Sequence, residues 1–159
     1  MTVNGQSAIY TYDADGARVK KADGASGLTT VYVGQHFEKL VYPSTSTTYY
    51  FLGGQRVAMK KAGTLTYLLT DHLGSTHVVT NQSGGIVAQQ LYKPWGEPRW
   101  PNPSTLPTDY RFTGQRSEEA TLGSLYDYGA QWIQLDPMPP NLVNPQNLNC
   151  HSCVLACHR

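Results

Sequence analysis

The chain has 159 residues, with 12 basic and 11 acidic side chains and no dense basic block. This balance argues against a nucleic-acid-binding surface, because such surfaces neutralise phosphates with clustered Lys and Arg. Only 14% of the residues are charged, whereas Tyr (11), Gly (15) and Pro (10) are abundant, which favours pleated strands and tight turns over helices. No run approaches the roughly 20 apolar residues of a membrane span, and the first residues show no export signal.

Short alternating runs separated by turn signals predict an all-β fold of stacked antiparallel β-hairpins. The segments Asp13-Ala14-Asp15-Gly16 and Gln82-Ser83-Gly84-Gly85 place Gly where a tight turn needs a positive φ. The expected strands are, in chain order, Ala8–Tyr12, Ala17–Lys21, Thr29–Val33, Phe37–Tyr42, Thr47–Leu52, Gln55–Lys61, Leu65–Thr70, His77–Asn81, Ile86–Tyr92, Tyr110–Thr113 and Ser124–Ile133.

One short helix is expected at Ser117–Leu122, where Ser117 precedes two acidic residues that suit a helix amino end. Glu118 and Glu119 are adjacent, so on a helix they diverge and we expect a solvated first turn rather than an acid/base pair. Five prolines fall within residues 93–108, and this segment is expected to form an ordered loop pinned by its tryptophans. From residue 136 onwards the chain is rich in Pro and Asn, which favours an irregular C-terminal tail.

The chain contains an internal repeat with the order aromatic, aromatic, Gly turn, Arg, apolar. The first copy consists of Tyr10, Tyr12, Gly16, Arg18 and Val19, and the second of Tyr49, Phe51, Gly54, Arg56 and Val57. A single hairpin cannot bury its apolar face, but stacked copies can do so. The repeat therefore favours a sheet built from hairpins that pack against their neighbours.

Six further sequence blocks occur in a fixed order: Tyr10-Thr11-Tyr12-Asp13, Leu52-Gly53-Gly54-Gln55-Arg56-Val57-Ala58, Asp71-His72-Leu73-Gly74-Ser75, Tyr92-Lys93-Pro94-Trp95-Gly96-Glu97, Arg111-Phe112-Thr113-Gly114-Gln115 and Leu125-Tyr126-Asp127-Tyr128-Gly129-Ala130. In this order they resemble the carboxyl-terminal core of RHS (YD-repeat) proteins, over roughly residues 7–155. The resemblance suggests YD-repeat-like hairpins in residues 1–70, an RHS-associated core in residues 71–135 and a degraded, loosely ordered tail in residues 136–159.

The resemblance implies a spiralling β-sheet that closes into a hollow shell around a toxin domain. Its implied partners are upstream YD repeats of a parent chain or other RHS subunits, and the implied parent is a bacterial protein that is secreted or displayed at the cell surface. Members of the family are several times longer than this chain, so we expect a fragment. Nothing in the sequence calls for a cofactor.

Many members of the family release the toxin by aspartyl self-cleavage, which uses two aspartates. Two close carboxylates cannot both ionise easily, so one serves as acid and the other as base. By its downstream context Asp136 matches the second family aspartate, and the first aspartate with its Pro and Gly is absent. We therefore expect a non-enzymatic structural segment, with an aspartyl self-cleaving core as the alternative.

Two other constellations are candidate sites. Cys150, Cys153, Cys157 and His158 are potential Zn²⁺ ligands, but zinc sites usually join two separated pairs, so thiols at the end of a diverged strand are the simpler reading.

The block at 71–75 contains the residue types of a catalytic triad within five positions. A triad needs side chains from separate elements, so we expect Asp71 to cap local amides and Gly74 to take the bend.

The aromatic residues Tyr92, Trp95 and Trp100 offer a third candidate, a carbohydrate-binding surface. Cross-strand aromatic pairs also stabilise sheets without any ligand. A carbohydrate-binding module is therefore the second alternative to a structural segment.

Overall fold

The computed structural model describes residues 2–3, 6–94, 96–99, 105–118, 125–128 and 132–134. Each strand of its main sheet pairs antiparallel with the next in the chain. The ten strands are β1 (Thr2–Val3), β2 (Gln6–Tyr12), β3 (Arg18–Asp23), β4 (Thr29–Val33), β5 (Phe37–Leu40), β6 (Thr45–Leu52), β7 (Gln55–Lys61), β8 (Thr64–Thr70), β9 (Thr76–Thr80) and β10 (Ile86–Gln89). The meander confirms the predicted all-β fold of antiparallel hairpins.

Two smaller sheets follow the main one. The first pairs β11 (Leu91–Tyr92) with β12 (Pro98–Arg99), and the second contains β13 (Arg116–Ser117), β14 (Leu125–Asp127) and β15 (Trp132–Gln134). The strand expected at Ile86–Tyr92 is therefore broken at Gln90, a buried residue whose N–H donates to the carbonyl of His77 over 2.8 Å. The strand expected at Tyr110–Thr113 is a short 3₁₀ turn at Phe112–Gly114 instead.

The expected helical turn at Ser117–Leu122 is wrong at its start, because Ser117 is the last residue of β13. Its N–H donates to the carbonyl of Asp109 over 2.7 Å. Residues 119–124 lie outside the described residues. Among the residues that the structure describes, no helix has the length and apolar character that a membrane span requires.

One five-residue loop occurs five times in the part of the chain that the structure describes. In each copy the first N–H donates to the fifth carbonyl, and the fourth residue is a Gly with positive φ whose N–H donates to the first carbonyl. The five copies span residues 13–17, 71–75, 81–85, 93–97 and 111–115. The left-handed φ explains the Gly at the fourth position, since other residues are strained there.

The internal repeat has a structural counterpart in a β-bulge. In the first copy Thr11 pairs with Lys20 and Tyr12 with Arg18, so that Val19 is the extra residue. In the second copy Tyr50 pairs with Ala58 and Phe51 with Arg56, so that Val57 is the extra residue. Because a bulge re-aims the side chain beside it, each copy turns its Arg towards the face that carries its aromatic pair.

That face, here called the inner face, carries the core. The larger apolar cluster lies under β6–β10 and consists of Tyr49, Met59, Leu68, Val79, Ala88, Leu106 and Tyr110. Leu106 and Tyr110 come from the segment of residues 105–118, which packs against the sheet. A smaller cluster joins Ala8 and Leu125, with Tyr10 against it. The C-terminal strands therefore lie on the same face that the two repeat arginines occupy.

Candidate functional site: an arginine–tyrosine row

Guanidinium groups and tyrosine rings alternate across the inner face of the sheet. We call the following six residues the arginine–tyrosine row: Tyr10, Arg18, Tyr32, Arg116, Tyr110 and Arg56. The distances from guanidinium carbon to ring centroid are 4.4 Å and 5.9 Å for Arg18, 4.1 Å and 4.5 Å for Arg116 and 3.3 Å for Arg56. All lie within the roughly 6 Å over which a ring face attracts a cation.

Each element of the row has a local reason for its position. Arg18 and Arg56 are re-aimed by the two bulges, and Tyr32 lies at an inward position of β4, where it is 5% exposed. Tyr110 and Arg116 are joined by an isolated antiparallel bridge that closes the 111–115 loop. The two sequence repeats and the C-terminal segment therefore supply neighbouring members of one row.

Carboxylates hold the first arginine of the row. Glu118 forms ion pairs with Arg18 and, at 2.5 Å, with Lys21, and Asp127 lies 2.5 Å from Nη2 of Arg18. The Glu118 side chain is 1% exposed and that of Arg18 6%. Two carboxylates, one directly after β13 and one at the end of β14, thus meet cations of β3 in a nearly water-free environment, where breaking a pair is costly.

The middle arginine of the row is held in the same way. Nη1 of Arg116 lies 2.8 Å from Oε2 of Glu38, which projects from β5. The hydroxyl of Tyr49 donates to the other oxygen of Glu38 over 2.9 Å, and Nη2 of Arg116 donates to the hydroxyl of Tyr110. Glu38 therefore connects the sheet to the C-terminal segment.

Burial and neighbouring charges set the protonation states of the row. Burial raises the pKa of Tyr32 to about 12, and it also raises the pKa of Tyr10 and Tyr49. Burial lowers the pKa of Arg18, but the Glu118 carboxylate outweighs this and the net shift is upwards. With the pKa of Tyr10 and Tyr32 raised by burial and that of Arg18 raised by Glu118, this part of the row suits the binding of carboxylates rather than proton transfer.

Arg56 differs from the other two arginines because it lacks a carboxylate. Among the residues that the structure describes, no ion pair or hydrogen bond to Arg56 exists, and its buried Nε is unpaired. Burial lowers its pKa, as expected for a guanidinium without a close counter-charge. The rings of Tyr49 and Phe51 each lie 5.2 Å from its guanidinium carbon.

The block at 71–75 is a turn, as predicted. Oδ1 of Asp71 accepts the N–H groups of Leu73 and Ser75 at 2.9 Å each, and Gly74 has a φ of 84°. Ser75 is 0% exposed, and its Oγ accepts the N–H of Thr113 over 3.1 Å. The Ser75 hydroxyl therefore holds the C-terminal segment against the turn.

The other candidate residues are only partly described. Tyr92 is half-buried: its hydroxyl donates to the carbonyl of Thr76 over 3.0 Å, and its ring centroid lies 5.7 Å from that of Phe112. The described residues contain no His, Cys, Asp and Glu cluster that suits a metal ion. Seven candidates lie outside the described residues and stay predictions: Trp95, Trp100, Asp136, Cys150, Cys153, Cys157 and His158.

Sequence reasoning missed the carboxylates of the row, and the expectation of a solvated Glu118 is wrong. Glu118 is buried against Arg18, which lies 100 positions earlier in the chain. No local pattern reveals such a partner. The signal that was present is the repeated Arg: an arginine at the same place in two stacked hairpins needs a counter-charge or an aromatic ring wherever it is buried.

The chain has an RHS-like all-β fold, which it shares with solved structures of RHS/YD-repeat toxin proteins. A crystal structure of TcdB2-TccC3 matches 83% of the chain with a TM-score of 0.66 and 19% sequence identity. TcdB2-TccC3 without its hypervariable C-terminal region matches 84% with a TM-score of 0.62 and 18% identity. The resemblance inferred from the sequence blocks is thereby confirmed at the level of the fold.

A third match is the Tc holotoxin pore of Photorhabdus luminescens, which covers 84% of the chain with a TM-score of 0.61 and 17% identity. The chain spans only 8% of the TcdB2-TccC3 chains and 7% of the holotoxin chain. No protein-family model matches the chain, and no curated protein matches it.

Proposed function

We propose that the chain is a non-enzymatic structural segment of an RHS-type β-shell that encapsulates or plugs a toxin domain. In such a shell it would contact upstream YD repeats of a parent chain or other RHS subunits, and the assembled parent would be secreted. The chain would contribute about one turn of sheet and the strands that pack under it.

The observation that supports this proposal most is the open form of the main sheet. Of the strands that the structure describes, none pairs with the outer edge of β1 or β10. The face opposite the inner face exposes large apolar side chains, among them Val33 at 64%, Leu52 at 75% and Ile86 at 67%. Unpaired edges and apolar surface of this kind favour continuation of the sheet by another strand.

The proposal predicts that the purified chain associates through its edge. Light scattering at increasing concentration is expected to give a mass that rises above that of a single chain. In the variant Ile86→Lys, which places a charge on edge strand β10, we expect association to weaken, because lysine on an edge strand opposes further pairing.

Val33→Lys is the matched control. Val33 is as exposed as Ile86, but it lies on β4, which has strands on both sides. This variant should associate like the unmodified chain. If the unmodified chain stayed monodisperse and monomeric at high concentration, the proposal would be contradicted. If both variants associated equally more weakly than the unmodified chain, association would belong to the apolar face instead of the edge.

A further inference from the structure

The internal repeat places two arginines in equivalent positions with different surroundings. Arg18 and Arg56 both follow a Gly turn, pair with the second aromatic residue of their hairpin and adjoin the bulge. Arg18 is met by Glu118 and Asp127 from strands that lie along the inner face. Among the described residues, no carboxylate forms an ion pair with Arg56, so the second copy of the repeat lacks the direct partner that the first one has.

The cations of the inner face differ in whether a carboxylate forms an ion pair with them. Four cations lie in or beside the row, Arg18, Lys21, Arg116 and Arg56, whereas the carboxylates in ion pairs with them are Glu118, Asp127 and Glu38. Asp109 interacts electrostatically with Arg116 and Glu38, but no ion pair joins it to Arg56. Arg56 is thus the cation of this set that forms no ion pair within the described residues, and the Glu38 carboxylate, which is paired with Arg116, acts on it only electrostatically.

The surroundings of Arg56 hold its guanidinium in place for a ligand. Tyr110 covers it at 3.3 Å, and Tyr49 and Phe51 flank it at 5.2 Å. The ring of His36 packs edge-on against Phe51 with centroids 4.8 Å apart. The Nε of Arg56 is buried without a partner, whereas its two terminal nitrogens are not buried in this way. Two parallel donors of this kind match the two oxygens of a carboxylate.

We propose that Arg56 is the binding site for a carboxylate side chain of a second polypeptide segment that lies along the inner face. The segment would present its carboxylate to Arg56 beside Tyr110, as Glu118 and Asp127 present theirs to Arg18. A carboxylate is favoured over other anions because both paired arginines of the row, Arg18 and Arg116, take carboxylates. This site goes beyond the proposed shell role and stands whether or not the chain assembles.

The test uses the full chain and two peptides, acetyl-Gly-Gly-Glu-Gly-Gly-amide and its twin with Gln in place of Glu. Ligand-observed saturation-transfer NMR detects weak binding even if the chain associates. We expect saturable binding of the Glu peptide with a dissociation constant of about 1–10 mM, as for a single bidentate pair. The Gln peptide should bind at least about fivefold more weakly, because it lacks the charge.

Two variants make the assignment specific. Arg56→Lys is expected to weaken the Glu peptide at least about fivefold, because an ammonium cannot form the two parallel hydrogen bonds. Arg99→Lys, a change at an exposed arginine of β12, should leave binding unchanged. If the Arg56 variant does not fold, equal binding of the Glu and Gln peptides by the unmodified chain would still overturn the proposal.

Three outcomes would overturn the proposal: equal binding of the Glu and Gln peptides, undiminished binding by a folded Arg56→Lys variant, or competition by inorganic phosphate at a lower concentration than that of the Glu peptide. The last outcome would assign Arg56 to phosphate instead of a carboxylate. Light scattering is read separately, so failure of peptide binding and failure of the shell proposal are distinguishable.

Discussion

At the scale of single residues, Glu118 is the buried carboxylate that pairs with the cations of the first repeat. It is 1% exposed and pairs with both Arg18 and Lys21. Taking such groups out of water costs several kcal/mol per ion, and only their mutual attraction offsets that cost. A buried network of this kind contributes specificity of packing more than net stability, because the same strands would also pack through apolar groups.

We predict that Glu118→Gln lowers the free energy of unfolding by about 3 kcal/mol, because it leaves Arg18 and Lys21 with one carboxylate fewer. The variant keeps the shape of the side chain, so the loss reports on charge. Urea unfolding followed by tyrosine and tryptophan fluorescence measures the effect.

The matched control is Glu97→Gln, which removes the partner of Lys93. The Lys93 and Glu97 side chains are 53% and 42% exposed, and exposed pairs of this kind contribute about 0–1 kcal/mol. A Glu118 variant that unfolds at the same urea concentration as the Glu97 variant would show that the buried ion pairs do not hold the C-terminal strands.

At the scale of elements, the recurring five-residue loop sets the register of the hairpins. In three of its copies the first residue is Asp13, Asp71 or Asn81, and the side-chain oxygen accepts the N–H groups of the third and fifth residues. Asp and Asn thus accept the same two hydrogen bonds at the first position of this loop. Hydrogen bonds to local amides of this kind favour turns.

We predict that Asp71→Ala lowers the free energy of unfolding by about 1–2 kcal/mol, since two hydrogen bonds are lost. Asp71→Asn should change it by less than about 0.5 kcal/mol at pH 7, because Asn81 makes the same bonds in the same loop. Thermal unfolding of the three proteins checks both values. Equal losses in the two variants would mean that the charge, not the acceptor, holds the loop.

The same variants have a defined pH dependence. Burial alone would raise the pKa of Asp71, but the hydrogen bonds from Ser75 and Leu73 outweigh it and lower the pKa. A carboxyl whose folded pKa lies below its unfolded value of about 3.9 stabilises the fold above that value, and the contribution is lost as pH falls through the folded pKa. The unmodified chain should therefore lose stability relative to Asp71→Asn only below about pH 4.

Most of the main sheet was predictable because its signals are local. Alternating apolar residues and Gly-containing turns place β4, β7 and the turn at 71–75 within a residue or two of their observed positions. The helix expected at Ser117 failed, because Ser and Glu at a helix amino end look the same as a strand end whose Glu is buried against a distant Arg. Contacts between β3 and Glu118 join residues about a hundred positions apart, and no local pattern specifies them.

The candidate site was predictable in its parts but not in its arrangement. The repeat singled out Arg18 and Arg56 from the sequence alone, and the bulge explains why both face inward. Arg116 and Tyr110, which lie between them in the row, flank a block that was recognised only by its resemblance to a family. Their placement depends on tertiary packing of the C-terminal segment under the sheet.

At the scale of the whole molecule, the two halves of the main sheet are stabilised by different interactions. The larger apolar cluster is confined to β6–β10 with Leu106 and Tyr110. Under β2–β5 the apolar cluster is reduced to Ala8, Leu125 and Tyr10, and ion pairs of Arg18, Lys21 and Glu38 take its place. Regions with few buried apolar contacts open at lower free energy than the rest of a protein.

Hydrogen exchange of the native chain should therefore show stronger protection of amides in β6–β9 than in β2–β5. We predict that Met59→Ala, which removes a side chain that is 1% exposed, costs about 2–5 kcal/mol and lowers the protection of β6–β9 at least about 30-fold. Protection of β2–β5 should stay unchanged, because an opening that leaves the larger cluster intact does not break the contacts of Met59. Glu118→Gln, in contrast, should lower protection in both halves, since complete unfolding also breaks its ion pairs. If Met59→Ala accelerated exchange equally in both halves, the sheet would open as one cooperative unit, and the ion-paired half would have no separate stability.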